Sequence, residues 1–121
     1  MKKLIAIALL AVPCASFAGH LDVIEMKLNQ GCSLASYLAV VKDFNEWGKG
    51  YGYKAEILVP LQRANLETFY WVGRSSSTES FGKAWDAWRD ALANPDSVPA
   101  KLNARLDACG TSLNRSGMDT Y

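Results

Sequence analysis

Residues 69–88, FYWVGRSSSTESFGKAWDAW, contain two different apolar patterns separated by three serines. Before the serines the residues are β-rich and apolar on both faces, which predicts a strand over 66–73. After them apolar residues recur at helical spacing, which predicts a helix from about 77 to 93. Ser76 and Glu79 have the spacing of a capping box at the start of that helix. This passage from strand to helix decides the fold.

The aromatic side chains of this passage either line a binding site or fill a core. On the helix, Phe81, Trp85 and Trp88 lie on one stripe, and a small domain needs such rings in its core, so we expect them there. On the strand, alternate residues face opposite sides, and the sequence leaves open which side lies under the helices. The two sides are Phe69 with Trp71, and Tyr70 with Val72.

Upstream, residues 21–29 alternate apolar and polar side chains and predict a first strand. Residues 33–47 have apolar side chains at helical spacing and predict an amphipathic helix, ended by a glycine-rich loop. Residues 53–62 alternate again and predict a strand that forms a hairpin with the next one. Pro60 indicates that this strand, or its end, lies at a sheet edge.

Downstream, residues 97–108 predict a short extra helix, in which Ser97 caps the start and Pro99 suits the first turn. Gly110 ends it, and residues 111–117 predict a short last strand. The order is therefore β-α-β-β-α-(α)-β, that of a ferredoxin-like α+β domain. We expect an antiparallel sheet with two helices on one face and the extra helix before the last strand.

The first eighteen residues are organised like a secretory signal peptide. Lys2 and Lys3 form a basic start, an apolar run follows, and the small residues up to Ala18 suit cleavage there. Cleavage would leave residues 19–121, which suffice for a single domain. We therefore expect a secreted or periplasmic protein, and no later segment is long and apolar enough to predict a membrane span.

The three cysteines lie on both sides of the predicted cleavage site. Cys14 lies in the signal segment, where it leaves a lipoprotein as an alternative, although Pro13 before it fits a lipidation site poorly. The remaining two, Cys32 and Cys109, predict one disulfide, because an exported chain meets an oxidising compartment. A metal pair or a reactive thiol is the alternative. In the predicted fold Cys32 follows the first strand and Cys109 precedes the last, so a disulfide there would close what we expect to be the central strand pair.

Charge and residue types exclude several classes of function. Loss of the signal segment lowers the 13 basic residues to 11 against 12 acidic ones, so we expect no nucleic-acid partner. The single histidine, His20, begins the first strand, where we expect mobility. No Ser-His-Asp or Cys-His set, metal site or nucleotide-binding motif is predicted, so we expect no catalytic residues and no cofactor.

The candidate ligand-binding residues are polar side chains of the predicted sheet. Glu25 and Lys27 share one side of the first strand, Tyr70 can face them from the third, and Arg74 lies two pairs further on. One interpretation is a solvated face. The other is a cavity shared with a partner subunit, where a carboxylate or tyrosine hydrogen-bonds a ligand or transfers a proton.

The element order, the strand VIEMKLN, the passage FYWVGRSSSTESF and the aromatic second helix resemble the dimeric α/β-barrel superfamily. The resemblance implies a homodimer formed through the sheets. Members of that superfamily include cofactor-independent monooxygenases, haem-degrading enzymes and muconolactone-isomerase-like enzymes. The second helix, ESFGKAWDAWRDALAN, has no histidine, so a haem site is not implied.

Three functions remain. The first is a non-enzymatic secreted or periplasmic homodimer that binds a small apolar or aromatic ligand. The second is a cofactor-independent monooxygenase- or isomerase-like enzyme, which predicts that Glu25, Lys27 or Tyr70 points into an enclosed pocket. The third is an envelope protein-interaction module. The sequence favours the first because it lacks a catalytic set.

Overall fold

The computed structural model describes residues 19–62 and 66–121. The predicted signal peptide, residues 1–18, lies outside the described residues, as do residues 63–65 of the predicted hairpin connection. The elements are β1 His20–Leu28, α1 Leu34–Gly48, β2 Lys54–Leu58, β3 Thr68–Ser75, α2 Thr78–Leu92, α3 Val98–Cys109 and β4 Gly110–Asp119.

The four strands form one antiparallel sheet in the order β2-β3-β1-β4. This confirms the predicted α+β class. β1 and β4 are antiparallel neighbours, but the expectation that they form the central pair was wrong, because β4 lies at an edge and the central pair is β1 with β3. β2 is the other edge strand and ends at Leu58, before Pro60. The last strand is longer than predicted, since it runs from Gly110 to Asp119.

Each helix begins at a serine whose hydroxyl accepts a hydrogen bond from the amide three residues on. The distances are 3.1 Å at Ser33, 3.0 Å at Ser77 and 3.1 Å at Ser97. The predicted capping box was one residue early. Glu79 instead pairs with Lys83 at 2.7 Å on the surface of α2.

The helices cover one face of the sheet, and the core lies between them. Phe69 and Trp71 of β3 face this core, with 4% and 5% exposure. This answers the question that the sequence left open, because Tyr70 and Val72 therefore face away from the helices. Opposite β3, Tyr37 and Phe44 of α1 are buried in the same core.

α3 is a full helix of twelve residues and packs against both α1 and α2. Leu102 on its inner side is buried in the core. Arg105 on its outer side donates to Asp43 of α1 at 2.7 Å. The extra helix predicted over 97–108 is confirmed, shifted by one residue along the chain. α3 forms a third wall over the sheet, which matters for the cavity described below.

Cys32 and Cys109 form a disulfide with Cα atoms 5.3 Å apart, as predicted. It closes a loop of 77 residues, which in the chain-entropy account stabilises the fold by about 4 kcal/mol. Beside it the amide of Asn29 donates to the carbonyl of Cys109 at 3.0 Å. Across residues 19–62 and 66–121, none of the helices combines the length and hydropathy needed to cross a membrane.

Candidate functional site

A cavity of about 220 Å³ lies between the sheet and the helices. Its floor is the helix-facing side of β1 and β3, including Ile24, Met26 and Trp71, and α1, α2 and α3 form its walls. An apolar cavity of about 150 Å³ is enough to hold benzene. This cavity therefore suits a ligand with one or two fused rings.

Aromatic side chains make most of the wall. All four tryptophans of the chain line the cavity. Phe44 packs among them, with its ring centroid 4.8 Å from Trp71 and 5.1 Å from Trp88. Such ring pairs contribute about 0.5–1.5 kcal/mol beyond the area they bury, so the wall is well held before any ligand enters. The helices contribute Tyr37, Phe44, Trp47, Phe81, Trp85 and Trp88.

A buried carboxylate lies on the cavity floor. Asp22 is 3% exposed and accepts hydrogen bonds from Arg115, at 2.8 Å from Nε and 2.6 Å from Nη2. The Tyr53 hydroxyl donates to Asp22 at 3.0 Å and accepts from Trp71 Nε1 at 2.8 Å. A carboxylate out of water needs such partners. We call these four residues the Asp22 cluster.

A glycine makes room for this cluster. Asp22 is paired with Gly73 on β3. A Cβ on Gly73 would overlap the Tyr53 hydroxyl. The absence of a side chain at Gly73 therefore allows Tyr53 to reach across the sheet to Asp22. On the other side Asp22 is paired with Gly117 of β4, where a Cβ would lie 3.2 Å from the His20 ring.

Contacts within the cluster shift the pKa of two of its members, Tyr53 and Arg115. Burial, and then the charge of Asp22, raise the pKa of Tyr53 far above its usual range. Burial alone would lower the pKa of Arg115, but the hydrogen bonds and charge of Asp22 outweigh it and raise that pKa. Tyr37, elsewhere in the wall, has its pKa raised to about 12 by burial and by the charge of Asp107. The tyrosines are therefore neutral hydrogen-bonding groups at ordinary pH.

The cavity opens along the β4 edge, because its more exposed lining residues lie there. Asp107 of α3 and Ser112 and Arg115 of β4 are exposed, and Asn103 is half-buried. The guanidinium carbon of Arg115 lies 4.2 Å from the ring centroid of Trp85. Arg115 therefore bridges β4 and α2 beside the mouth while it bonds the buried carboxylate.

The lining offers hydrogen bonds rather than a nucleophile. Cys32 and Cys109 are joined in the disulfide, and within the described ranges no three His, Cys, Asp or Glu side chains are placed to hold a metal ion. His20, for which we expected mobility, is buried at 8% exposure in the structure. Its Nδ1 lies 3.1 Å from Asp119, and its ring centroid lies 4.5 Å from that of Phe81. The arrangement can bind and orient a flat ligand beside the Asp22 cluster.

Comparison with protein-family models and with curated proteins gives no match. Among solved structures, the chain is similar to SnoaB, a cofactor-independent oxygenase from Streptomyces nogalater, at 15% identity and a TM-score of 0.51, over 86% of this chain and 94% of that one. It is also similar to a dimeric protein of unknown function with a ferredoxin-like fold from Bacteroides fragilis. The identity is 10% and the TM-score 0.43, over 84% of this chain and 94% of that one. A third similar structure is a conserved protein of unknown function from Bacteroides thetaiotaomicron, a possible oxidoreductase. The identity is 6% and the TM-score 0.47, over 87% of this chain and 100% of that one.

The chain has a ferredoxin-like fold, because its element order and its strand order are those of that fold. At 15% identity the likeness to SnoaB shows the fold alone.

The four side chains predicted to bind a ligand lie on the sheet face turned away from the helices, which we call the outer face. Glu25 and Tyr70 are cross-strand neighbours there. Lys27 and Arg74 each approach a glutamate, at 3.7 and 3.1 Å. In the described part of the chain none of the four lines the cavity, so their binding role stays a prediction about the outer face.

Sequence reasoning did not find the Asp22 cluster, although a signal for part of it was present. Asp22 lies two residues before Ile24 and four before Met26, so strand alternation places an acidic side chain on the apolar face. Tyr53 stands in the same way at the head of the apolar set of β2. Nothing in the sequence indicated that Arg115 faces the interior, because the last strand has too little apolar alternation to show which of its residues face inward.

Proposed function

We propose that this protein is a non-enzymatic binding protein for a small, predominantly aromatic molecule held between the sheet and the helices. The single observation that carries the proposal is the 220 Å³ cavity walled by all four tryptophans. Cavities that bind small molecules are mostly apolar, with a few convergent polar groups, and the Asp22 cluster supplies such groups here. The aromatic residues of the second helix, Phe81, Trp85 and Trp88, pack in the core and also form part of the cavity wall.

The proposed setting is the periplasm or the medium. Residues 1–18 would be removed after Ala18, which would leave residues 19–121 as the mature domain. Support comes from the disulfide, because structural disulfides persist in oxidising compartments.

The binding experiment uses one cavity-filling variant and one matched control. Ala84 of α2 lines the cavity and is 3% exposed, so Ala84→Leu would fill space that the ligand needs. Ala39 of α1 is exposed, so Ala39→Leu makes the same change outside the cavity. The probe is 1-naphthalenemethanol, a neutral two-ring alcohol. The readouts are native mass spectrometry and the tryptophan emission, which reports on the cavity wall directly.

We expect the unmodified protein and Ala39→Leu to bind one probe molecule with a change in emission, and Ala84→Leu to bind none. Equal binding by both variants would place the probe elsewhere and refute the proposal. Native mass spectrometry of protein from its own host would then identify any retained molecule.

We further propose that two copies pair through the outer face. Apolar side chains on that face support this, since Leu58 is 50% and Met118 48% exposed, more than a monomer needs to leave in water. Sedimentation equilibrium tests it, and a monomer at micromolar concentration would contradict it.

A second candidate function is a cofactor-independent oxygenase or isomerase. Glu25, Lys27 and Tyr70 lie on the outer face, so within one chain this candidate rests on Asp22 and Tyr53, a buried carboxylate and a tyrosine of raised pKa at the cavity floor. Oxygen uptake with 1-naphthol, above the rate without protein and lost in Asp22→Asn, would favour this candidate over simple binding.

A further inference from the structure

The charges that line the cavity do not cancel. Among the described lining residues there are two carboxylates, Asp22 and Asp107, and one guanidinium, Arg115. Arg115 is bonded twice to Asp22, so the charge of that pair is matched. Asp107 has a neutral partner, since Asn103 Nδ2 donates to it at 2.8 Å, and none of the ion pairs in the described ranges includes it. One negative charge at the mouth is left without a cation.

The aromatic wall adds to the same polarity. The faces of aromatic rings carry partial negative charge and attract cations that lie over them. The wall already holds such a cation, because the Arg115 guanidinium lies over Trp85 at 4.2 Å. The cavity is therefore electronegative both in its walls and at its mouth.

We propose that the cavity selects a cationic ligand, a small aryl- or alkyl-ammonium compound whose charge is balanced by Asp107 and the aromatic walls. This rests on the proposed binding function and names the class of its ligand. Asp107 is then the residue that determines specificity at the mouth. Asp107 and Tyr37 line the same cavity, and the Asp107 charge adds to burial in raising the pKa of Tyr37.

An anionic ligand is the opposite possibility, with Arg115 as its partner. Such a ligand would have to compete with Asp22, whose carboxylate is buried and would lose its own partner. It would also approach Asp107 at the mouth. The loss of the Asp22 partner and the repulsion from Asp107 both oppose the binding of an anion, and neither opposes the binding of a cation.

The test compares three naphthalene probes of nearly one shape by titration calorimetry at pH 7. They are 1-naphthylmethylammonium, the neutral 1-naphthalenemethanol and the anion 1-naphthoate. A desolvated cation–π contact is worth about tenfold or more in affinity, so we expect the ammonium probe to bind about tenfold more tightly than the alcohol. We expect the naphthoate to bind most weakly.

Asp107→Asn keeps the side-chain shape and removes the charge. We expect it to weaken the ammonium probe about threefold to fivefold, in the range of a partly exposed ion pair, and to leave the alcohol unchanged. The matched control is Asp96→Asn, which removes the same charge from an exposed residue between α2 and α3 that does not line the cavity. This control should keep the full preference, and thermal unfolding of both variants should match the unmodified protein.

The outcomes separate the two proposals. Equal affinity for the ammonium and the alcohol, or tighter binding of the naphthoate, overturns the cation preference and leaves the binding function standing. An unchanged ammonium affinity in Asp107→Asn also overturns the role of that residue. If none of the three probes binds, both proposals fail.

Discussion

The two faces of the sheet use charged side chains in opposite ways. On the helix side, Asp22 is 3% exposed and accepts from Arg115 and Tyr53. On the outer face, Glu56 accepts from Arg74 at 3.1 Å, with side chains 38% and 51% exposed. One sheet carries both pairs, Asp22 with Arg115 on β1 and β4 and Glu56 with Arg74 on β2 and β3. Strand alternation decides which face each side chain takes and so which charges enter the interior.

This difference in burial determines how much each ion pair contributes to the free energy of unfolding. A buried carboxylate depends on every partner, because the loss of one leaves an uncompensated charge away from water. An exposed pair is screened by water and contributes little. We therefore expect substitutions on the two faces to differ in cost, although the residue types are similar.

The largest effect should come from Asp22→Asn. This change leaves Arg115 half-buried without its anion and alters the bond to Tyr53. Breaking a buried ion pair costs about 3–5 kcal/mol, and we expect the lower end because Arg115 is partly exposed. Urea denaturation of the variant and the unmodified protein measures the difference in free energy of unfolding.

A double variant shows whether the loss of stability in Asp22→Asn comes from the broken Asp22–Arg115 ion pair. Asp22→Asn combined with Arg115→Gln should cost clearly less than the sum of the two single changes, because each single change strands the other partner. Additive costs would contradict the account of a coupled buried pair.

The next effect concerns the space that glycine leaves beside Asp22. In Gly73→Ala the new methyl group would displace the Tyr53 hydroxyl and break its bonds to Asp22 and Trp71. We expect a loss of about 2 kcal/mol, within the range for overpacked interiors, and a changed near-ultraviolet circular dichroism.

Gly82→Ala is the matched control for that substitution. Gly82 lies within α2, and a Cβ there meets open space. Alanine should stabilise the helix by up to about 1 kcal/mol. A comparable loss in both variants would mean that the position beside Asp22 is not special.

The sequence predicted the elements well because their signals are local. Period-two and helical spacing and the glycine and proline stops placed every strand and helix in the right order. The boundaries shifted by one to four residues, most at β2, which was predicted over 53–62 and ends at Leu58. β4 is three residues longer than predicted, since its composition, TSLNRSGMD, lacks apolar alternation. The edge position of β4 was missed, because strand neighbours are set by tertiary packing.

The site was harder to predict for a physical reason. Polar residues such as Glu25 and Lys27 attract notice on a polar face, whereas Asp22 lies on the apolar face. Its partners Tyr53 and Arg115 are 31 and 93 residues away along the chain. Contacts that distant depend on the finished sheet, and no local pattern encodes them. In other sequences too, a charged residue on the apolar face of a predicted strand would indicate a buried polar site of this kind.

The third prediction concerns alkaline pH. In the folded protein the pKa of Tyr37 is about 12, against 10.0 for the model phenol, and that of Tyr53 is raised further for the same reason, burial. A raised pKa means that the folded state favours the neutral phenol. The stabilisation is therefore complete below pH 10 and is lost as the pH rises above it, at up to about 1.4 kcal/mol per pH unit for each tyrosine.

Urea denaturation at pH 9, 10 and 11 measures this slope. Tyr37→Phe and Tyr53→Phe remove one titrating group each, and the double variant should show a clearly shallower fall between pH 10 and 11. An unchanged slope in the double variant would assign the pH dependence to other groups.

The smallest effect should come from Arg74→Gln on the outer face. The change removes one partner of an exposed ion pair, so the free energy of unfolding measured at high dilution should stay unchanged. If two copies pair through this face, the same charge lies at an interface rim, where its loss weakens association about twofold to fivefold. Sedimentation equilibrium separates the two quantities. A marked loss of stability in the dilute monomer would show that the outer-face pair behaves like the buried one, and the contrast between the faces would then fail.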